Sequence, residues 1–383
     1  MILAVIEIVS ENTITGLPLQ KKQRQRYRRI SVYLFGQNSH ARRDQMRKHY
    51  ATIKDIANAL NISFATVSRA LRDAYDVKAE TRELVLAKAA ELNYKPNLNA
   101  KGLAQHRSYH LGVILPGITN YYFSTVITGI QEVAYDNGFN LILYVTNDST
   151  ERERDMISNL SLAGLDGLLV CVSSGAGAGT GFKEIMDDGV PVVFFDRAAE
   201  EVNASKVVQD DYNGAFEATE HLVKNGYRKI AHIAGPEDLA FTRKRLQGYK
   251  DALKKHGLPA KQEWVIHSGF SQAHGERDAE VLWKGRNRPD AIFAVNDRKA
   301  VGAMLTLKKL GVQIGREVGV VGFTNDPVAA IISPSLTTIA EPAFEIGRQS
   351  CQLLLNHIRK KKFEPKEVVL PGKLIVRESS TRV

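Results

Sequence analysis

Phe64, Ala65, Ser68, Arg69 and Arg72 fall at helical spacing on one side of a short amphipathic segment, and together they have the chemistry of a surface laid into a DNA groove. A guanidinium bonds guanine bidentately or clamps a phosphate, and a serine hydroxyl bonds either. The same spacing also fits a helical hairpin of an ordinary core whose arginines are merely solvated, so the neighbouring elements must decide. Catalytic patterns are missing: the sequence has no GxxxxGK[ST], no HExxH and no GxSxG. The glycine-rich stretch SSGAGAGTGF at 173–182 lacks the third glycine of a dinucleotide-binding loop and reads as a flexible connection. The histidines are scattered, and Cys171 and Cys351 stand far apart in the chain without metal-ligand spacing. No catalytic residue, cofactor or metal is therefore expected, and a reducing cytosol suits the thiols.

Two helices must carry that surface. Over TIKDIANALNISFATVSRAL (52–71), Ile53, Ile56, Ala57 and Leu60 stand at i, i+3, i+4 and i+7 and predict a first helix starting at Thr52. The Thr52 hydroxyl suits an orphan backbone N–H, and Asp55 sits in the positive first turn. Asn61-Ile62 breaks the pattern, Ser63 is an N-cap, and Val67, Ala70 and Leu71 give a second helix its inner stripe. A third helix is predicted over 79–93, with Leu84, Ala87 and Leu92 on its buried side, and Pro96 stops it. Residues 98–105, LNAKGLAQ, form a weak helix with Gly102 inside, expected to order only on a partner.

Charge placement agrees with a polyanionic partner. Lys and Arg number eight against three Asp and Glu over 1–45, eleven against six over 46–109, and 33 against 33 over 110–383. All of the excess lies at the end that holds the helix pair. With 383 residues, 44% hydrophobic and 25% charged, the chain has globular composition and room for two or three domains. No apolar run reaches the length of a membrane span, and MILAVIEIV lacks the form of a signal peptide, so no membrane partner and a cytoplasmic location are expected. Residues 1–45, with QKKQRQRYRR at 20–29, read as an extension upstream of a functional start near Met46.

From Leu111 the texture changes to alternating apolar strands and helices. Strands are predicted at 111–115, 141–145, 167–172 and 191–195, with helices near 151–163 and 182–188 and a stripe from Phe123 to Ala134. A second series follows, with strands at 207–210, 229–235, 291–296 and 319–323 and helices at 212–225, 242–256 and 299–310. This is an α/β pattern of parallel sheets covered on both faces, and two successive series of similar size predict two lobes. Ligands in such folds bind at the carboxyl ends of strands.

The ordered blocks TIKDIANALNISFATVSRAL, ELNYKPN, ILPGITNYYF, VPVVFFDR, RLQGY, FAVNDRKAVGAM, VVGF, PSLTTI and LIVRES resemble the LacI (lactose-repressor) family of bacterial transcription regulators over 50–383. The resemblance implies a helix-turn-helix domain at 46–95, a hinge helix at 96–109 and a periplasmic-binding-protein-like effector and dimerisation domain at 110–383. It implies a homodimer whose helix pairs read an inverted-repeat operator, a sugar or sugar-phosphate effector, and control of carbohydrate genes; a solute-binding protein of a transport system is the alternative. By position, Phe64, Ala65, Ser68 and Arg69 would face bases, Thr52 and Thr66 phosphates, and Ala100 and Leu103 the minor groove. Tyr122, Phe123, Asp196, Arg245, Phe270 and Asp297 would line the effector cleft. Thr324 stands where the family usually has an acidic residue, which leaves that side of the cleft different. The chain also ends without the leucine heptads that join dimers into tetramers, so a dimer is expected.

Overall fold

The structure is a computed structural model that describes residues 51–94, 107–175, 177–360 and 364–382. The chain divides into two compact units, Met1–Asn97 and Leu98–Val383. Most of the expected hinge, including Ala100 and Leu103, lies outside the described residues, as does the segment before residue 51.

The described part of the first unit is three helices: α1 (Ile53–Leu60), α2 (Phe64–Leu71) and α3 (Ala79–Glu91). Thr52 and Asp55 close a reciprocal capping box on α1, with Thr52 N–H donating to Asp55 Oδ2 at 2.7 Å. Asn61, at φ +50°, ends α1 in the left-handed conformation that asparagine tolerates. Two residues later the Ser63 hydroxyl caps α2 by accepting the Thr66 N–H at 3.1 Å. Ile56, Ala57, Val67 and Ala70 meet Val77, Val85 and Ala89 in one small core. Each fully buried valine or isoleucine there contributes roughly 1.5–3 kcal/mol over its exposed state. The expected face of α3 needs correction in part: Leu84 and Ala87 are exposed, while Val85 and Ala89 are buried and Leu92, half-buried, packs against the core as expected. The run Leu84-Val85-Leu86 offers three neighbouring apolar faces, and of these only Val85 is buried.

The second unit holds two six-stranded sheets. The first lobe contains β1 (His110–Leu115), α4 (Tyr121–Asp136), β2 (Asn140–Val145), α5 (Thr150–Asn159), β3 (Gly167–Val170), α6 (Phe182–Asp187), β4 (Val192–Phe195) and β5 (Ser205–Gln209). The second runs through α7 (Asp211–Lys224), β6 (Ile230–Ala234), α8 (Ala240–Lys255), β7 (Val265–His267), α9 (Gln272–Lys284), β8 (Ala291–Ala294), α10 (Asp297–Lys309), β9 (Gly319–Thr324), α11 (Val328–Ile331) and β10 (Thr337–Ala340). The chain then returns to the first lobe as α12 (Ala343–Arg359) and β11 (Glu367–Leu370), and ends in the second with β12 (Lys373–Ile375). Strand order is β11-β5-β4-β3-β1-β2 in one sheet and β12-β10-β9-β8-β6-β7 in the other. All pairings are parallel except β10 with β12.

The lobes are therefore interleaved rather than successive. The strand expected to open the second series, β5, belongs to the first sheet, and three crossovers at 209–211, 340–343 and 370–373 join the lobes. The helix expected over 151–163 is α5, ten residues long, followed by a separate turn at Leu162–Gly164. Central strands β3, β4 and β8 are buried along their whole length, as sheets covered on both faces require. Among the described residues no helix is long and apolar enough to cross a membrane, and no cluster of three His, Cys, Asp or Glu side chains could hold a metal.

Candidate functional site

On the first unit, the outer side of α2 presents Phe64, 53% exposed, beside the exposed Ala65 and Arg69. The Phe64 ring stands outside the small core of this unit, on the side of α2 that carries the residues expected to face bases. Arg69 Nη1 lies 3.0 Å from Asp76 Oδ2, and both side chains remain about half exposed. Arg72 folds back on the helix: Nη2 donates to Ser68 Oγ at 2.9 Å and Nε to the Ser68 carbonyl at 3.1 Å. Thr66 is half-buried against Ser63, and Thr52 is exposed at the α1 N-terminus, where backbone N–H groups and the helix dipole favour an anion. Five of the six residues expected on this unit thus share the rim formed by α2 and its cap; Thr52 stands apart at the start of α1.

In the second unit, a cleft opens between the lobes, and all six residues expected to bind an effector line it. Aromatic faces and a few convergent charged groups in one cleft suit a small-molecule site. The placing elements are the carboxyl ends of parallel strands and the helix starts that follow them. Tyr122 and Phe123 open α4 behind the N-cap Asn120, with their rings edge to face at 5.3 Å. Asp196 follows β4 at φ +58°. Its Oδ1 accepts the Tyr122 hydroxyl at 3.0 Å and its Oδ2 the Cys171 thiol at 3.4 Å. Burial and the adjacent Asp196 carboxylate raise the Tyr122 hydroxyl well above its usual range, so it stays a donor.

Asp297 opens α10 after β8 and is 1% exposed. Thr338 Oγ1 donates to its Oδ1 at 2.6 Å and the Asp326 N–H to its Oδ2 at 2.7 Å. Burial pushes this carboxyl up to about 6 against those two donors. The carboxylate fits only because residue 322, in VVGF, is glycine: a Cβ there would stand 2.1 Å from Asp297 Oδ1. Arg245, on α8, is equally committed. Its Nε donates to Asp211 Oδ1 at 2.8 Å, Nη1 to the Val295 carbonyl at 2.6 Å and Nη2 to Glu341 Oε1 at 2.6 Å, with the guanidinium 3.5 Å over the Phe323 ring. One arginine thus faces two buried carboxylates. Burial pushes Asp211 up to about 6 and Glu341 up to about 7, although Arg245 pulls both down.

Phe270 stacks on Phe241 at 5.6 Å and 24°, forming an aromatic wall. Above it lies Arg197, which sequence reasoning quoted in VPVVFFDR without giving it a role; its guanidinium is 5.3 Å from the Phe270 ring centre. Arg298, Asp326 and Glu341 line the same cavity and were also unassigned. Arg197 and Arg298 follow β4 and β8, so the strand-end rule reaches them; Glu341 carries no local signal, because its partner Arg245 is 96 positions away. Asp326 supplies, two positions on, an acidic group on the side of the cleft where Thr324 replaces one.

Residues 52–97 match the model for bacterial regulatory proteins of the lacI family, and residues 219–380 match that for a periplasmic binding protein-like domain. The HTH-type transcriptional repressor PurR of Vibrio vulnificus (strain CMCP6) is 31% identical over 335 residues, covering 87% of this chain and 99% of its own length. Among solved structures, the lac repressor dimer bound to operator and the anti-inducer ONPF superimposes with a TM-score of 0.77 at 25% identity, covering 87% of this chain and 100% of the other. A complex of the transcriptional regulator CelR with cellobiose gives 0.66 at 28% identity, covering 86% and 99%.

Proposed function

The chain belongs to the LacI family of bacterial regulatory proteins, and from that premise we propose a ligand-responsive repressor whose DNA affinity is set by the cleft between its lobes. The protein is a DNA-binding transcriptional regulator, related to repressors rather than to enzymes. The observation that carries the reading is the coexistence of a capped, arginine-bearing helix pair with an interlobe cavity lined by all six expected residues.

Residues 46–95 form the DNA-binding domain, 96–109 the hinge and 110–383 the effector and dimerisation domain. Two copies read an inverted repeat in the cytoplasm. Phe64, Ala65, Ser68 and Arg69 meet base edges, and Thr52 and Thr66 meet phosphates. Ala100 and Leu103 enter the minor groove, where inserting apolar side chains costs a few kcal/mol of unstacking that bending recovers. The effector is a sugar or sugar phosphate of the kind taken up or degraded by the controlled genes, as cellobiose is the ligand in the CelR complex. The Phe241–Phe270 wall and Tyr122 and Phe123 take its ring, while Asp196, with free lone pairs, accepts its hydroxyls. Arg245 and Asp297 hold the cleft in shape and offer their remaining hydrogen-bonding capacity. Ligand and operator then influence one another's affinity through the three crossovers, by the same factor in each direction.

Selection of binding sites from random duplexes, followed by footprinting, tests this reading. An inverted repeat protected by the wild type and lost with Arg69→Ala is expected. Binding without sequence preference contradicts it.

A further inference from the structure

The chain passes between the lobes three times, and the three passages meet beside one side chain. Gln209 ends β5 in the first lobe, Ala340 ends β10 in the second, and Gly372 lies between β11 and β12. The point where a Cβ of residue 372 would stand is 2.7 Å from Gln209 Nε2 and 3.2 Å from the Ala340 carbonyl oxygen. Glycine leaves that gap open, so an amide of one lobe stands next to the backbone of the other.

Gln209 is 2% exposed, and among the described residues neither its Nε2 nor its Oε1 has a hydrogen-bond partner. Burying an amide in this way costs free energy, and nearly all buried polar groups of folded proteins are paired. The next polar side chain on the same face of β5 shows the usual outcome. Strand alternation puts Ser205 on the face of Gln209, and the Ser205 hydroxyl meets His357 Nε2 at 2.7 Å and accepts the Lys366 N–H at 3.0 Å. Inside the first lobe the polar group is satisfied; at the junction it is not. An apolar side chain of the same length would fill the site without the cost.

Partners are close at hand. An amide has two N–H donors and an acceptor, and a backbone carbonyl has two lone pairs, so Ala340 can accept from Gln209 in addition to a ladder bond. Because β5 and β10 belong to different sheets, a turn of one lobe against the other moves these two groups relative to one another.

We propose that Gln209 is a latch at the junction of the lobes: its amide is unpaired in the lobe arrangement seen in the structure and pairs with the crossover backbone at Ala340 in a second arrangement, which it stabilises. This rests on the reading that lobe position sets operator affinity. The latch acts from outside the effector site, since Gln209 is not among the residues that line the cleft. It therefore biases the balance between arrangements without touching the ligand.

The test compares the full chain with Gln209→Met and Gln209→Leu, which keep most of the bulk and remove the amide. Thermal midpoints are measured without ligand, operator affinity by anisotropy on a selected duplex, and sugar affinity by calorimetry with a panel of aldoses and disaccharides that includes cellobiose. Both variants should melt at or above the wild-type temperature, because the unpaired buried amide is gone. At least one of operator and sugar should change affinity by about tenfold, weaker if it favours the second arrangement and tighter if it favours the first. A midpoint lowered by several degrees in both variants would mean that the amide is already paired, and overturns the latch. Operator and sugar affinities equal to wild type, in a protein whose operator binding still responds to sugar, overturn it too and leave the cleft reading standing. A wild-type operator affinity that no sugar of the panel alters overturns the latch together with the reading beneath it.

Discussion

Arg245 Nη2 lies 2.6 Å from Glu341 Oε1, and the bond joins α8 of the second lobe to the crossover by which the chain leaves β10 for α12. The same guanidinium takes Asp211 on the crossover after β5. One buried cation thus ties two of the three connections between the lobes. Removing one member of a buried pair leaves an uncompensated charge and costs about 3–5 kcal/mol, so Arg245→Ala is expected to unfold the second unit or lower its melting temperature strongly. An unshifted thermal midpoint would show that the pair is dispensable.

The excess carboxylate makes this junction between the lobes sensitive to pH. Glu341 titrates at about 7 in the folded protein against an ordinary 4.5, so the folded state holds its proton more tightly. Its contribution to stability is present below the ordinary value and lost as pH rises through the folded one, at up to ~1.4 kcal/mol per pH unit in that window. Asp211, at about 6, runs the same way. His232, stacked at 4.6 Å on Phe293 and pushed by burial to about 3, runs the opposite way and masks the slope in the wild type. The difference between wild type and Glu341→Gln isolates the term: the variant keeps an acceptor for Arg245 and should gain stability relative to wild type as pH rises from 5 to 7. Parallel melting curves across that range would contradict it.

Arg69 is paired with Asp76 at an exposed site, where ion pairs contribute about 0–1 kcal/mol. If Arg69 meets DNA as proposed, it would leave Asp76 at small cost. Asp76→Asn should raise operator affinity a few-fold with little change in melting temperature, whereas Arg69→Ala should lower specific binding by about 1–3 kcal/mol and relax base preference at one position. Binding-site selection with the two variants checks both. An Asp76→Asn protein that binds more weakly than wild type would mean that the pair orients Arg69 rather than restrains it.

Gly322→Ala should damage the cleft from behind. The added carbon meets Asp297 Oδ1, which is held by Thr338 and the Asp326 N–H, so the carboxylate or the strand must shift. Overpacking of this kind costs about 1–3 kcal/mol. Calorimetry should find weaker effector binding in a folded protein; unaltered affinity would place Asp297 outside the ligand's reach.

The helix pair was legible because Thr52, Ser63 and the apolar stripes all point to one local structure, and caps act within a few residues. The face of α3 was not, since Leu84, Val85 and Leu86 are equally apolar and packing alone chose Val85. The lobes were visible in the alternating pattern, but their interleaving was hidden: nothing in the β5 residues says which sheet they join, and the return through α12 depends on contacts far away in the chain. In the cleft, residues directly after strands could be reached by rule. The Arg245–Glu341 pairing could not, because its physical reason, two carboxylates buried around one cation, exists only once the crossovers meet.

If the cleft governs the helix pair, fluorescence anisotropy on a selected operator will register it. Operator affinity is to be recorded with and without a saturating ligand that calorimetry has shown to bind, for wild type and for Asp196→Asn. A change of about fivefold or more in the wild type, in either direction and shifted to higher ligand concentration in the variant, is the expected result. An operator affinity identical with and without bound ligand would contradict the account.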